Sequence, residues 1–302
     1  MSQPFSLIGL DIGGDWNRPL LANAAAISGC SCIFARSEVP DALLLPNESA
    51  GMPVLEVALR EYRYVIACER IRGSTSVFDL PTPRAATAVI VGNEDRGISR
   101  KVIKQADAVA CVPMASHRLS SLNVAVAASI ILYALTHDFG RKHRRRARLN
   151  QSETDVLVHA PADPHELGSL LRSVYAFGWR RVYVSDPHGV WFTEDPQTIL
   201  AGRAAARRAN NLLAVLPASQ LDPLRYDATV VGCERGEGIG LSKLCLPECQ
   251  RLLVEVGRSN IESGLGIPTT RVSVDHENRA EPACFRHTGS ILLSVISQMF
   301  VA

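Results

Sequence analysis

Short runs of β-branched and aliphatic residues alternate with longer stretches of helical periodicity along this chain. This alternation is typical of an α/β fold with a largely parallel sheet. In the first half it predicts strands at Phe5–Leu10, Cys32–Ala35, Tyr64–Ala67, Ala88–Val91 and Ala108–Val112. It predicts helices at Pro19–Ile27, Pro53–Glu61, Ser99–Gln105 and Ser120–Leu135.

The order of elements begins again near residue 155. The segment DVLVHA (155–160) parallels SLIGLD (6–11), and ELGSLLRSVYAFGWRRVYVSD parallels NRPLLANAAAISGCSCIFARS. Further on, ATVVGCERGEGI (228–239) parallels ATAVIVGNEDRGI (86–98), and GSILLSVISQMF parallels ASIILYALTHDF. The offsets are similar, roughly 140 to 160 residues, which indicates a duplicated α/β domain. The sequence therefore predicts a first domain over 1–139, a polar basic linker over 140–154 and a second domain over 155–302.

Composition narrows the class of protein. The chain has 302 residues, 47% hydrophobic and 21% charged, as in a globular protein, and its net charge of +2 gives no global signal for nucleic acid. The amino terminus lacks a basic region followed by an apolar core, and the most apolar run, 119–135, is interrupted by polar residues and shorter than the ~20 residues of a membrane span. We therefore expect a cytoplasmic protein with no membrane span.

Neither the cysteines nor the histidines show the spacing of a metal site. No C-x-x-C pair occurs among the eight cysteines, several of which lie in apolar, strand-like runs, so we expect buried free thiols. His117, His143, His165 and His287 have no ligand spacing, so no metal is expected.

Two segments of the first half are candidate ligand loops. VGNEDRGIS (91–99) runs from a strand through glycines into a helix, and VPMASHRLSSLNVAVAASIILY (112–133) joins a strand to a long apolar helix. Glycines at the carboxyl edge of a parallel strand allow the backbone to approach a ligand closely. Ser121 and Asn123 could cap the following helix or bind a ligand there. Ordinary turns and helix caps would explain both segments equally well.

These segments resemble motifs two and three of the SpoU (TrmH) branch of the SPOUT methyltransferases. The family pattern G-N-E-x-x-G is matched by GNEDRG (92–97), I-P-M by VPM (112–114), and S-L-N-V-S-V-A by SLNVAVA (121–127). The resemblance implies an S-adenosylmethionine-dependent RNA (tRNA or rRNA) ribose 2′-O-methyltransferase. It also implies a deep trefoil knot, a rare exception to the rule against threaded chains. The expected fold is thus α/β, with two tandem trefoil-knotted SPOUT-like (α/β-knot) domains forming an intrachain pseudo-dimer.

The resemblance also implies which residues bind S-adenosylmethionine. They lie in the loops of the first half, with the adenine beside apolar side chains, and are Ala67, Cys68, Glu69, Val91, Gly92, Asn93, Gly97, Val112, Met114, Ser121 and Leu122. The chain has no G-x-G-x-x-G or P-loop pattern, which is consistent with a fold that does not bind its cofactor in the Rossmann manner.

The residues of motif one differ between the two halves of the chain. The family pattern is N-x-G-x-x-x-R, and its asparagine and arginine belong to the catalytic centre. The first half keeps Asn17 but has Asn23 at the arginine position, whereas the second half keeps Arg172 but has Glu166 at the asparagine position.

The donor motifs show the converse pattern. In the second half GCERGEG (232–238) is interpreted as a partial motif two, and PAC (282–284) stands where motif three would be. In this family the motif-one arginine reaches the donor bound by the other subunit of a homodimer. The resemblance therefore predicts one composite site, with the donor pocket from the first half and Arg172 from the second. The chain would act as a monomeric pseudo-dimer, with further dimerisation left open.

Arg172, Glu94, Asn123, Ser121 and Asn17 form the expected catalytic set. A neutral guanidine is costly because the pKa of arginine exceeds ~12. We therefore expect Arg172 to bind the adjacent phosphate and stabilise the developing alkoxide. Glu94 and Asn123 would orient the hydroxyl or the arginine. A loop-organising role for Glu94 and a capping role for Asn123 are the structural alternatives.

Basic residues are the candidates for docking RNA, through phosphates and without reading sequence. They are the run Arg141–Arg148 with Arg18, Arg118, Arg180 and Arg181. Two other functions fit the same residues. One is a non-catalytic RNA-binding pseudoenzyme, favoured by Asn23. The other is a methyltransferase acting on a nucleoside or another small molecule.

Overall fold

The structure is a computed structural model that describes residues 5–13, 16–36, 55–115, 121–137, 139, 151–233, 238–257, 264–274 and 284–300. The chain forms two compact units. Unit 1 comprises Met1–Pro113, Asn123–Arg141 and His276–Cys284; unit 2 comprises Met114–Leu122, Lys142–Asp275 and Phe285–Ala302. The boundaries expected at 139 and 155 stay a prediction.

Unit 1 contains a parallel sheet with helices between its strands. The strands are β1 (Phe5–Leu10), β2 (Ser31–Ala35), β3 (Tyr64–Cys68), β4 (Thr75–Ser76), β5 (Thr87–Val91) and β6 (Ala108–Cys111). They pair in the order β2-β1-β5-β3-β6-β4. The helices are α1 (Asn17–Ile27), α2 (Leu55–Ala58), α3 (Arg100–Gln105) and α4 (Val124–Thr136). The parallel α/β architecture is confirmed.

Two of the predicted helices in unit 1 have different bounds. Of the helix expected over Pro53–Glu61, the described part is helical at Leu55–Ala58 and ends there because residues 59–61 form a turn, while residues 53 and 54 lie outside the described residues. The helix expected to start at Ser120 begins at Val124, because Asn123 has an extended backbone and its side chain caps the first turn. Almost all of α4 is buried, as its apolar composition predicts.

Unit 2 contains a second parallel sheet. Its strands are β7 (Thr154–His159), β8 (Arg181–Ser185), β9 (Ala214–Pro217), β10 (Ala228–Cys233), β11 (Ile239–Gly240), β12 (Leu252–Val256) and β13 (Thr269–Ser273). They pair in the order β11-β13-β10-β12-β7-β8-β9. The helices are α5 (Pro164–Ala176), α6 (Pro196–Ala206) and α7 (Phe285–Ser297). In α5 every residue from Glu166 onwards is buried.

The two sheets have the same strand order once the extra edge strand β9 is set aside. Reading β8-β7-β12-β10-β13-β11 in unit 2 matches β2-β1-β5-β3-β6-β4 in unit 1. The match extends to backbone detail: Asp11 and Ala160, each directly after the first strand of its sheet, both have a positive φ although neither is glycine. Helix α7 matches α4 at both ends, with an offset of 161 residues.

This strand order corrects one sequence interpretation. Strand β10 lies between β12 and β13, the position that β3 holds in unit 1, so GCERGEG (232–238) does not correspond to motif two. The triplet Cys-Glu-Arg that begins at the last residue of β3 (68–70) recurs at the last residue of β10, as residues 233–235. The counterpart of β5 and Gly92 is β12 and Gly257. Similar β-branched residues before a glycine had suggested the wrong pair of strands.

The expected absence of a membrane span and the expected burial of the cysteines are compared with the structure over the described residues. None of the helices there is long and apolar enough to cross a membrane. The cysteines described there are free thiols, but they are mostly half-buried and Cys245 is exposed, so the expected burial is only partial.

Candidate active site

The predicted donor residues of unit 1 lie at one edge of its sheet. Strands β1, β5, β3 and β6 are parallel neighbours, and Gly9, Cys68 and Val91 are paired near their carboxyl ends. The loops that follow these strands therefore leave the sheet side by side, as ligand-binding loops do in open α/β sheets. Ala67, Cys68, Val91 and Gly92 lie at the strand ends, and Val112 is buried directly after β6.

The loop after β5 is folded tightly by Asn93 and two glycines. The Asn93 side-chain oxygen accepts hydrogen bonds from the backbone N–H of Asp95 (3.0 Å) and Arg96 (3.3 Å). The Gly97 N–H donates to the Asn93 carbonyl at 2.7 Å. Gly97 has φ +66°, and a Cβ on Gly92 would overlap the backbone of Gly97. Both positions therefore require glycine, and the loop can present its backbone closely to a ligand.

Glu69 joins the loop after β3 to the loop after β5. Its carboxylate accepts a hydrogen bond of 2.8 Å from the Ile98 N–H, and a Cβ on Gly97 would overlap that carboxylate. Burial raises the pKa of the neighbouring Cys68 thiol well above its usual value, with the Glu69 and Cys111 charges adding to the effect. Cys68 is therefore a neutral thiol at physiological pH.

Three predicted catalytic residues form one chain of hydrogen bonds in unit 1. Asn17 Nδ2 donates to Glu94 Oε2, and Asn123 Nδ2 donates to Asn17 Oδ1, both at 3.3 Å. The Asn123 oxygen caps α4 by accepting from the N–H groups of Ala125 (3.0 Å) and Val126 (3.4 Å). Because the cap uses the oxygen, the Asn123 amide must point its NH₂ group at Asn17. Asn123 thus caps α4 and bonds Asn17 at the same time, whereas its expected role in orienting the hydroxyl or Arg172 stays a prediction.

Arg172 lies within unit 2 and binds the segment that precedes Asn123. Its Nε donates to the Ser121 carbonyl (2.9 Å), and its Nη2 donates to Ser121 Oγ (2.7 Å) and to the Leu122 carbonyl (3.1 Å). The residue is only 2% exposed. These contacts support a positioning role for Arg172, whereas its contact with a phosphate stays a prediction.

The remaining members of the two motif-one segments differ in environment. Asn23, at the predicted arginine position, is half-buried in α1. Glu166 is buried in the first turn of α5, where its N–H donates to the capping side chain of Asp163 at 2.7 Å. Met114 is half-buried and Leu122 is buried, both in unit 2.

The arginines expected to dock RNA are engaged with the protein where the structure describes them. Arg18 Nε donates to the Ile12 carbonyl (3.0 Å), and Arg180 lies over the Tyr175 ring at 5.0 Å. Arg181 pairs with Asp155 at 3.1 Å, and that carboxylate raises the pKa of Arg181 above its usual value. Arg118 and Arg141–Arg148 lie outside the described residues.

Metal binding is not expected from the sequence, and the described part of the chain contains no group of three or more His, Cys, Asp or Glu residues that could hold an ion. His165 and His287 are among these residues, whereas His117 and His143 lie outside them.

Two residues of this edge were missed by sequence reasoning. The Asp11 carbonyl accepts a hydrogen bond of 3.0 Å from Asn93 Nδ2, and Asp11 has φ +52°. Trp16 immediately precedes Asn17 and is 66% exposed. An aspartate directly after a strand and a tryptophan beside a motif-one asparagine were the available signals.

Comparison with known proteins agrees with the motifs. Residues 55–133 match the model of the SpoU rRNA methylase family. An uncharacterized tRNA/rRNA methyltransferase of Archaeoglobus fulgidus is 51% identical over 49 residues, which are 16% of this chain and 21% of that protein. A second uncharacterized tRNA/rRNA methyltransferase, from Mycoplasma genitalium, is 48% identical over 50 residues, 17% of this chain and 20% of that protein. The matches thus span only about a fifth of each relative.

Solved structures show weaker likeness. A TrmH/SpoU tRNA modifying enzyme of A. aeolicus has 20% identity and a TM-score of 0.36, covering 45% of this chain and 76% of its own. An AdoMet-bound rRNA methyltransferase of Sinorhizobium meliloti has 20% identity and a TM-score of 0.35, covering 44% and 55%. Scores this low support no further conclusion. Residues 55–133, with their tight glycine loop and capped helix, are therefore similar to the SpoU rRNA methylase family.

Proposed function

We propose that this chain is an S-adenosylmethionine-dependent RNA ribose 2′-O-methyltransferase with a single active site. The donor loops and the Glu94–Asn17–Asn123 hydrogen bonds come from the first half of the chain, and Arg172 comes from the second half. The tRNA/rRNA methyltransferases that the chain resembles support RNA as the substrate class.

The common strand order of the two sheets supports a duplicated SPOUT-like domain. It also strengthens the case for a single donor site. With β12 as the counterpart of β5, the second-half counterpart of GNEDRG begins Gly257-Arg258-Ser259 and lacks the Asn-Glu pair. At the start of α7, Cys284 replaces the capping residue Asn123.

The predicted donor residues at the strand ends of unit 1 and in the segment before α4 fit S-adenosylmethionine chemically. Val112 and Leu122 are buried apolar side chains suited to an adenine ring, and Gly92 and Gly97 keep the adjacent loop backbone accessible. The Cys68 thiol is neutral, so it is not a thiolate nucleophile that could itself accept the methyl group. When bound, the donor supplies an electrophilic methyl group for an in-line displacement, which depends mainly on positioning.

The contacts of Arg172 are the observation that carries this proposal. Arg172 holds Ser121 and Leu122, the two residues directly before Asn123, and Asn123 is bonded to Asn17. An arginine of the second half would thereby position the first-half network. This accounts for why Asn23 could replace the first-half arginine while Arg172 was kept. Independent decay of two copies does not predict that complementary residues survive.

Donor binding and methyl transfer test the proposal directly. We expect calorimetry to show one S-adenosylmethionine bound per chain. Radiolabelled donor should label rRNA or tRNA, and the labelled linkage should resist alkali because a 2′-O-methyl group blocks attack by the ribose hydroxyl. Glu94→Gln, which keeps the size of the side chain, should lower kcat, whereas the adjacent exposed carboxylate change Asp95→Asn should leave kcat unchanged.

Other outcomes would reassign the protein. A wild-type chain that binds RNA but no donor would be the non-catalytic pseudoenzyme. Labelling of free nucleosides but not of RNA would identify a small-molecule methyltransferase. An alkali-labile labelled linkage, with the methyl group on a base, would overturn the 2′-O assignment.

A further inference from the structure

Trp16 is an exposed tryptophan beside the hydrogen-bond network of unit 1. Tryptophan is highly buried on average in folded proteins, whereas Trp16 is 66% exposed. The next residue, Asn17, begins α1 and donates to Glu94. Trp16 therefore directly precedes, in the sequence, one of the groups proposed to orient the methylated ribose.

Exposed arginines flank the same edge on the neighbouring loops. Glu69 is bonded to Ile98, which brings the loop after β3 against the loop after β5. Arg70 and Arg72 are exposed in the first of these loops, and Arg96 is exposed in the second. Since β1, β5 and β3 are adjacent strands ~4.8 Å apart, the loops bearing Trp16, Arg96 and Arg70 follow one another along the edge.

We infer that Trp16 is a stacking platform for a base of single-stranded RNA next to the methylated nucleotide, with Arg70, Arg72 and Arg96 contacting the flanking phosphates. This inference rests on the proposed function and names the substrate-binding surface of that site. A flat indole can stack on any base, which provides affinity without sequence preference. The arginines supply charge opposite to that of a phosphate backbone.

The chemistry of this edge favours an unpaired strand over a duplex. Bases in an A-form helix are stacked on one another, so only unpaired bases can lie on an aromatic side chain. The exposed Asp95 carboxylate lowers the local positive charge, so stacking on Trp16 should contribute most of the affinity.

The test measures binding of a fluorescently labelled oligouridylate of about 12 nucleotides, a length within the usual site size of such surfaces. Trp16→Ala should weaken binding about tenfold, as expected for the loss of one stacked base. Trp16→Phe, which keeps an aromatic ring, should stay within about threefold of the wild type. Phe192→Ala is the matched control, because Phe192 is also an exposed aromatic residue but is not among the residues proposed to bind RNA or donor.

The salt dependence of oligouridylate affinity tests the proposed phosphate contacts of the arginines. Removing one phosphate-binding charge should reduce the slope of log K against log salt by about 0.7 for a single strand. Arg72→Gln and Arg96→Gln should each lower the slope by about this amount. Arg84→Gln should not, because Arg84 is exposed near the start of β5, at the opposite edge of the sheet.

The outcomes separate this inference from the proposed function. If the wild type methylates RNA and binds donor, but Trp16→Ala binds the oligouridylate as tightly as Phe192→Ala does, the stacking surface is wrong and the proposed function stands. Equal weakening by Trp16→Ala and Trp16→Phe, or a preference for duplex RNA, would also overturn it. A wild type that binds no donor would instead refute the proposed function, and the oligouridylate comparison would then test Trp16 as an RNA-binding residue alone.

Discussion

Replacing Arg172 should destabilise unit 2 far more than replacing a surface arginine. Arg172→Ala removes the three hydrogen bonds that the guanidinium donates to Ser121 and Leu122. Hydrogen bonds from a charged donor contribute ~1.5–3 kcal/mol, and bonds that share one guanidinium do not add fully. The Leu122 carbonyl, which is buried, loses this donor at a further ~1 kcal/mol. We therefore expect the free energy of unfolding to fall by about 3 kcal/mol.

Calorimetry and denaturant unfolding can measure this loss. For a unit of about 150 residues, each kcal/mol lowers Tm by ~2–4 °C, so the transition of unit 2 should move down by about 6–12 °C. Arg172→Lys should lose less, because a lysine keeps the charge but cannot reproduce the planar fork. The control is Arg181→Ala, whose half-exposed ion pair with Asp155 should contribute ~1 kcal/mol or less.

The same variants separate the structural role of Arg172 from its functional one. Because Ser121 and Leu122 are also predicted to contact the donor, Arg172→Lys should weaken donor binding as well as lower kcat. If Arg172→Ala unfolds within about 1 kcal/mol of the wild type, the observed contacts do not hold the segment, and the reasoning from burial and hydrogen bonds is refuted. If donor binding and kcat are both unchanged in Arg172→Lys, the composite site loses its main support.

Three further predictions follow from unit 1 and from the thiols. Gly97→Ala should lower the free energy of unfolding by about 1 kcal/mol more than Gly73→Ala. Both glycines have a positive φ, but only at Gly97 would a Cβ displace the Glu69 carboxylate from the Ile98 N–H, and equal losses in urea would contradict this. Asn123→Ala should lower the free energy of unfolding by about 2 kcal/mol, because it removes the cap and one further hydrogen bond. Asn123→Asp should retain the cap yet still lower kcat. Equal Tm values for the two variants would exclude the capping role. Peptide mass spectrometry should show that iodoacetamide modifies the exposed Cys245 well before Cys32. Burial raises the pKa of the Cys32 thiol to about 11, which leaves about a hundredfold less thiolate than an ordinary thiol has. Equal rates of modification would contradict that burial.

Much of the local structure was predictable because its causes are local. The apolar runs that predict β1, β3, β5 and β6 differ from the observed strands by only a residue or two. The glycine loop after β5 could be recognised from its residue types, because φ +66° at Gly97 and the close approach at Gly92 are properties of a few consecutive residues. The capping role of Asn123 was one of two alternatives, and the structure shows that the same side chain also bonds Asn17.

Other features could not be read from local pattern. The short helix α2 ends at Ala58 although its periodicity suggested that it continues to Glu61, since packing decides whether a marginal helix continues. The exposure of Trp16 depends on what covers it, and no neighbouring residue in the sequence encodes that. The arginines expected to face RNA show the same limit: Arg181 is engaged by Asp155, which is 26 residues away in the chain.

The amino-acid sequence by itself determined that this is a parallel α/β protein with SpoU-type motifs, and it predicted that the two halves carry complementary parts of motif one. Only the tertiary structure decided which strands correspond, placing β10 where β3 stands, and which side chains Arg172 holds, at a separation of 51 residues for Ser121. The physical reason is that strand pairing in a parallel sheet and burial of a guanidinium depend on contacts between distant segments. Their energies are set by register, packing and hydrogen-bond geometry, which a local pattern of hydrophobic and polar residues does not specify.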